Sequence, residues 1–261
     1  MNTPLEVKFD LTVIMPALNE EKNISLAISN TLKAFDDYRI SGEIIVVNDG
    51  SRDSTKEIVE SIKVKDKRIK LINHEFPRGI GNSYWKGVDQ SRSAIVTWIP
   101  GDNENDPWEI FRYYKLMEQV DIVIPFIFNK EARSVFRNSL SYFYRFIINT
   151  TFGVNFNYTN GTILFRKSLL AELKTRSYGF FFQTDILIRT VKKGYLFAEV
   201  PYRLGLRRGG ISKAISFPSL MNVVRGYSRL VSDYYFKQQK SEGRDFAYGS
   251  MTAKRRDKVV N

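Results

Sequence analysis

Residues 43–52, Glu43-Ile44-Ile45-Val46-Val47-Asn48-Asp49-Gly50-Ser51-Arg52, set a short apolar run directly against a polar turn. An unbroken β-branched run reads as a strand covered on both faces, since a strand with one wet face would alternate. Asn48 to Arg52 supply turn chemistry. Ser54 with Glu57 then matches a capping box that opens a helix, and Ile58, Val59 and Ile62 give that helix its buried face. The local reading is strand, loop, helix.

The same rhythm extends in both directions. Upstream, Leu11 to Met15 is a strand ending at Pro16, followed by a helix with Ile24, Ala27, Ile28, Leu32 and Phe35 on one face. Downstream come a strand at Arg68 to Ile72, a helix opening after Gly81 with Trp85 and Val88 inward, and a strand at Ala94 to Ile99. Alternating βαβ units imply an α/β fold with a mostly parallel sheet flanked by helices. In open sheets of this kind ligands bind beyond the carboxyl ends of the strands, so the loops after Val47 and Ile99, carrying Asp49 and Asp102, are where chemistry is expected.

Beyond Asp121 the pattern loosens: strands near Ile122 to Phe128 and Thr162 to Phe165, a turn at Phe180 to Phe182, and a helix from Thr184 to Lys192. The expectation is one domain over 1–236, with a donor half at about 8–125 and an acceptor half at 126–236. Residues 237–261, where Lys254, Arg255, Arg256 and Lys258 cluster among few apolar residues, read as a basic disordered tail.

Composition sets limits on these readings. A chain of 261 residues with 43% hydrophobic content can bury one extended core. A net charge of +12 favours anionic partners such as nucleotide diphosphates, acidic lipids or nucleic acid. The absence of cysteine excludes disulfides, zinc thiolates and thiol nucleophiles. Met1 to Asp10 lacks the apolar core of a signal peptide, and apolar runs fall short of the ~20 residues that span a bilayer. Membrane contact is therefore expected to be peripheral, on the cytoplasmic face.

Asp102, in Pro100-Gly101-Asp102-Asn103-Glu104 directly after a strand, can hold a divalent cation that also bridges two phosphates. Asp49 can accept hydrogen bonds from a base or ribose while Gly50 lets the chain turn. Each segment alone is also ordinary turn composition. Together, strand-end carboxylates at one sheet edge point to a site.

The run Val13-Ile14-Met15-Pro16-Ala17-Leu18-Asn19-Glu20, then Ile45 to Ser51, then Pro100-Gly101-Asp102 resembles the opening motifs of inverting family 2 glycosyltransferases with a GT-A fold. Gly161 to Lys167, Glu199-Val200-Pro201 and Arg207-Arg208-Gly209-Gly210-Ile211-Ser212-Lys213 are similar to the dolichyl-phosphate mannose synthase-like branch. The resemblance implies donor contacts from Pro16, Ala17, Leu18, Glu20, Val47, Asp49, Gly79, Pro100, Gly101, Asp102, Glu104, Arg207 and Lys213. It makes Asp102 the ligand of Mg2+ or Mn2+, and gives Arg207 and Lys213 the departing diphosphate or an acceptor phosphate. Leu18 stands where the family has an aromatic, and Pro100 where it has another aspartate.

Asp185, near a helix start, is a candidate general base for a hydroxyl acceptor, a role that a phosphate acceptor would not need. The only histidine, His74, is assigned no role. Arg133, Arg137 and Arg145 fall on one helical stripe beside Phe136, Leu140, Phe143, Tyr144 and Ile147, as in helices that lie on lipid. A second amphipathic segment carries Leu220, Val223, Val224, Tyr227 and Val231. Core packing or dimerisation would also use such faces.

The function these features imply is transfer of a sugar from a UDP- or GDP-sugar to a polyprenyl phosphate, dolichyl or undecaprenyl, at a membrane surface. The alternatives are transfer to a hydroxyl of a lipid-linked or soluble saccharide, and a nucleotide-sugar-binding protein without turnover. A homo-oligomer remains open. No motif for specific nucleic-acid recognition accompanies the charge.

Overall fold

The computed structural model describes residues 9–129, 135–204, 217–237 and 245–260, with the backbone alone at 136, 137, 217–219, 259 and 260. The first half runs β1 (Leu11–Ala17), α1 (Ile24–Tyr38), β2 (Gly42–Asn48), α2 (Thr55–Lys65), β3 (Ile69–Asn73), α3 (Ile80–Gln90), β4 (Ile95–Trp98) and α4 (Pro107–Phe111). The remainder runs β5 (Ile122–Ile127), α5 (Val135–Phe152), β6 (Leu164–Arg166), α6 (Lys167–Ala171), α7 (Phe182–Lys193), β7 (Phe197–Tyr202), α8 (Phe217–Tyr235) and α9 (Met251–Val260).

The strands form one seven-stranded sheet in the order β3-β2-β1-β4-β6-β5-β7. Only β6 runs against its neighbours β4 and β5; the other pairings are parallel. This is the mostly parallel α/β sheet that the strand–helix alternation predicts.

Period-2 geometry sends successive residues of β1 and β2 to opposite faces. Leu11, Val13, Met15, Ile44 and Val46 pack with Ile28 and Phe35 of α1 and Val59 of α2. Ile14, Ile45 and Val47 pack on the other side with Trp85 of α3, Ile148 of α5 and Ile186 of α7. Each fully buried aliphatic side chain contributes roughly 1.5–3 kcal/mol of transfer free energy. The sheet is thus held from both faces, which fixes the register of its loops. Glu43 of β2, fully buried, accepts from Thr12 Oγ1 at 2.8 Å and pairs with Lys70 Nζ at 2.7 Å.

Two local expectations are corrected. Ser54 does sit at the N-cap of α2, but its side chain makes no capping hydrogen bond. Asp53 takes over, its Oδ1 accepting from the Thr55 N–H at 3.1 Å and from the Thr55 hydroxyl, and that hydroxyl in turn accepts from the Glu20 N–H, so the helix start is tied to the β1 loop. Within the tail read as disordered, residues 251–260 form the helix α9. The buried carboxylate of Asp121 accepts from the backbone N–H of Met251 at 2.6 Å and of Thr252 at 3.0 Å, and from the Thr252 hydroxyl. Those are the orphan donors of a helix N-terminus, so Asp121 acts as a cap in trans for α9. Phe246 packs edge-on against Tyr195, and the Tyr195 hydroxyl accepts from the Ala247 N–H at 2.7 Å.

Candidate active site

Backbone pairing continues past the strand ends and brings three loops together. Gly101 N–H donates to Pro16 O at 3.0 Å, and Asp49 N–H donates to Ala17 O at 2.8 Å. The exits of β1, β2 and β4 therefore lie side by side, as their central position in the sheet requires. Gly101 fits this crowded turn without displacing a neighbour: a Cβ there would lie 2.7 Å from Ile24 Cδ1 and push that side chain aside. Asn19, at a left-handed φ of 56°, receives the Arg52 N–H on its side-chain oxygen at 2.8 Å, while its own N–H reaches Ser51 Oγ at 2.9 Å. The first two loops are thereby laced to each other. Leu18 is half-buried between them, and the Glu20 carboxylate accepts from Asn23 Nδ2 at 2.9 Å.

Asp49 is 5% exposed and its carboxylate is heavily used. Oδ1 accepts from Arg78 N–H and Oδ2 from Gly79 N–H, both at 2.9 Å. His74 Nδ1 stands 2.7 Å from Oδ1. A carboxylate can only accept here, which assigns the imidazole proton to Nδ1. Asp49 thus fastens the 74–79 segment, which leads into α3, over the β2 loop. Gly50, at φ +74°, fits under this segment because a Cβ would meet Phe76 C at 2.7 Å. His74, given no role from sequence, is part of this constellation. Its neighbours in sequence offered no signal, because the partner lies 25 residues away.

Asp102 follows the β4 exit, and its Oδ1 accepts the Glu104 N–H at 3.0 Å, which shapes the Pro100–Glu104 turn. Among the described residues no three His, Cys, Asp or Glu side chains converge as a cage for a metal ion. A single carboxylate at a sheet edge nevertheless suits Mg2+, which commonly takes one or two protein oxygens and completes its octahedron with substrate phosphates and water. The donor set fits a cation that arrives with a nucleotide diphosphate.

On the other side of β4, the indole N–H of Trp98 and the side-chain amide of Gln183 both donate to Gly161 O, at 2.9 Å and 2.8 Å. Trp98 precedes the Asp102 loop and Gln183 lies in the first turn of α7, so this carbonyl joins that loop to the second half. Next to it Thr184 Oγ1 bonds to the Tyr144 hydroxyl at 2.8 Å and to Asn160 Oδ1 at 3.2 Å. Asp185 turns away into the space between α7 and α8. It is 3% exposed, and Oδ1 pairs with Arg189 Nε at 2.9 Å. Burial raises its pKa above the ordinary aspartate value, against the pull of the Arg189 guanidinium.

The expected cationic helix is α5, and its outward face is apolar: Leu140, Phe143, Phe146 and Ile147 are exposed at i, i+3, i+6 and i+7. Tyr144, read as part of that face, turns inward instead. Arg145 is half-buried; it donates to Asn157 O at 2.9 Å and stands over the Tyr142 ring at 5.4 Å. Arg133, Arg207 and Lys213 lie outside the described residues, as does the side chain of Arg137. No helix among the described residues is long and apolar enough to cross a membrane.

A mostly parallel sheet with carboxylate-bearing loops along its carboxyl edge and one reversed strand beside β4 defines the GT-A architecture. The chain belongs to Glycosyl transferase family 2, whose profile matches residues 12–174, more than half of its length. It is 31% identical over 126 residues to a dolichyl-phosphate beta-glucosyltransferase of Trichomonas vaginalis, covering 46% of this chain and 36% of that protein. It is 24% identical over 220 residues to a polyprenol monophosphomannose synthase of Mycolicibacterium smegmatis, covering 77% and 79%. Its fold matches glucosyl-3-phosphoglycerate synthase from Mycobacterium tuberculosis in complex with Mn2+, UDP-glucose and phosphoglyceric acid. That match has a TM-score of 0.67 at 17% identity over 86% of this chain and 80% of that one.

Proposed function

We propose that this glycosyltransferase moves a sugar from a UDP- or GDP-sugar to a polyprenyl phosphate, working at a membrane surface. The observation that carries the acceptor reading is the exposed apolar stripe of α5, joined to the second half of the site through Tyr144 and Thr184. An apolar face without any acidic residue suits a greasy substrate presented at an acidic surface. The two curated relatives bear names for transfer to dolichyl or polyprenyl carriers, which supports the same direction. Asp185, buried against Arg189, is poorly disposed to take a proton from an acceptor hydroxyl. A phosphate acceptor is already an anionic nucleophile and asks for no base.

In this reading the loops at Pro16–Glu20, Val47–Asp49, Gly79 and Pro100–Glu104 receive the nucleotide sugar. Asp102, with Glu104 beside it, would hold Mg2+ or Mn2+, whose chemistry is to neutralise charge on the diphosphate. Arg207 and Lys213 would supply cations for the departing diphosphate, and Arg133, Arg137 and Arg145 would supply positive charge toward acidic headgroups. The test is thermal unfolding of wild type and Asp102→Asn with UDP or GDP, each with and without Mn2+. A nucleotide-dependent rise in Tm that Mn2+ enlarges in wild type and not in the variant is expected. An equal Mn2+ increment in both proteins would remove Asp102 from the metal role.

A further inference from the structure

Between α7 and α8 lies a chain of charges that the proposed transfer does not use. Asp185 Oδ1 pairs with Arg189 Nε at 2.9 Å one helical turn on, and Arg189 Nη2 pairs with Asp233 Oδ2 on α8 at 2.7 Å. Lys237 Nζ closes the series on Asp233 Oδ1 at 2.8 Å. The Asp185 and Arg189 side chains are 4% and 15% exposed, and the second oxygen of Asp185 is buried without a hydrogen-bond partner among the described residues. Nearby, α8 packs so tightly that a Cβ on Gly226 would lie 2.8 Å from Phe181 Cβ, and Tyr227 reaches Thr151 of α5 at 2.8 Å. A guanidinium held by two carboxylates from different helices is a geometric fastener: its planar fork fixes direction as well as distance.

We infer that Asp185 is a positioning residue, which through Arg189 locks α8 onto α7 and thereby holds the α5–α8 surface in place beside the acceptor side. A carboxylate that took the acceptor proton would need one oxygen within reach of the acceptor; here one oxygen is engaged by Arg189 and the other is sealed between helices. The inference rests on the reading of transfer to a phosphate, because it frees Asp185 from acting as a base.

Two independent readouts test it. The first is a double-mutant cycle of urea unfolding with Asp185→Asn and Asp233→Asn. Each single variant leaves Arg189 one carboxylate, whereas the double variant leaves the buried guanidinium none, so the expected loss in the double exceeds the sum of the singles. Adding Arg189→Met to the double should recover part of that loss. Strict additivity would overturn the fastener. The second readout is kinetic, on polyprenyl phosphate in vesicles. Both single variants should keep kcat within about threefold and the wild-type pH profile, and raise KM for the lipid acceptor alike. A loss of about 10² to 10⁴ in kcat confined to Asp185→Asn, with the acid limb of the profile gone, would make Asp185 the base and overturn the inference. The unfolding cycle needs no acceptor. A coupled cycle without lipid transfer would therefore count against the proposed function and leave the fastener standing.

Discussion

Replacing Asp49 by Asn tests whether the second strand-end carboxylate organises the donor edge. The substitution preserves shape but converts one acceptor oxygen into an NH2 donor. In the native site both oxygens face donors: the N–H of Arg78 and Gly79 at 2.9 Å, and His74 Nδ1 at 2.7 Å. An amide can accept from one side only, so at least one N–H is left opposite another donor in a site that is 5% exposed. A hydrogen bond to a charged group is worth ~1.5–3 kcal/mol, and a stranded buried donor costs ~1–3 kcal/mol. The expected loss is about 2–3 kcal/mol, which corresponds to a fall in Tm of roughly 4–10 °C for a chain of this size. Hydrogen exchange should quicken at residues 74–80, because Asp49 is what fastens that segment. UDP or GDP affinity, by calorimetry, should fall about tenfold or more, since ordering the loop must then be supplied by the ligand at 1.4 kcal/mol per decade. A variant with unchanged Tm and unchanged exchange over 74–80 would refute the reasoning, whatever its activity.

Three further outcomes are expected. Arg207→Ala and Lys213→Ala should each lower kcat/KM by ~10² or more in a steady-state transfer assay, as for loss of a strong electrostatic donor; an effect under about threefold would return that segment to a solvated surface. Replacing Arg133, Arg137 and Arg145 together by Ala should weaken co-sedimentation with phosphatidylglycerol vesicles, at up to about 1 kcal/mol per cation, and high salt should weaken wild-type binding in the same direction. Equal vesicle binding by both proteins would remove these arginines from the membrane contact. Asp121→Ala should destabilise the chain by about 3–5 kcal/mol in urea unfolding, because Arg166 Nε at 3.2 Å and the donors of α9 lose one shared partner; release of the C-terminal segment to protease should accompany it.

The first half of the fold was legible because its determinants are local. The apolar runs at Leu11–Met15 and Glu43–Val47 and the helical faces between them depend on period alone, and parallel order follows from βαβ connection. That Asp49 and Asp102 share an edge followed from the same topology. What Asp49 does there was not legible, because its partners are backbone N–H groups at 78 and 79 placed by the turn of the chain. Gly50 and Gly101 read as turn residues, while the structure adds close backbone approach at Gly50 and the Ile24 side chain at Gly101 as a second reason. The α9 helix was missed for a physical reason: it has few apolar residues, and its anchor is the distant carboxylate of Asp121. Tyr144 was misplaced on α5 because periodicity assigns a face and leaves open which side of that face meets Thr184. Asp185 read equally as a possible base and as a charge at a helix start; its link through Arg189 to Asp233 of α8 joins residues far apart in sequence and was not legible.

The most direct test of the account is sugar transfer in vesicles containing undecaprenyl or dolichyl phosphate, with radiolabelled UDP- and GDP-sugars and Mg2+ or Mn2+. The account predicts that label from one donor moves to the lipid as a phosphate-linked sugar, with release of one nucleoside diphosphate per transfer, and that Asp102→Asn abolishes it. Transfer only to saccharide hydroxyls, with the polyprenyl phosphate unmodified under every donor, would contradict it.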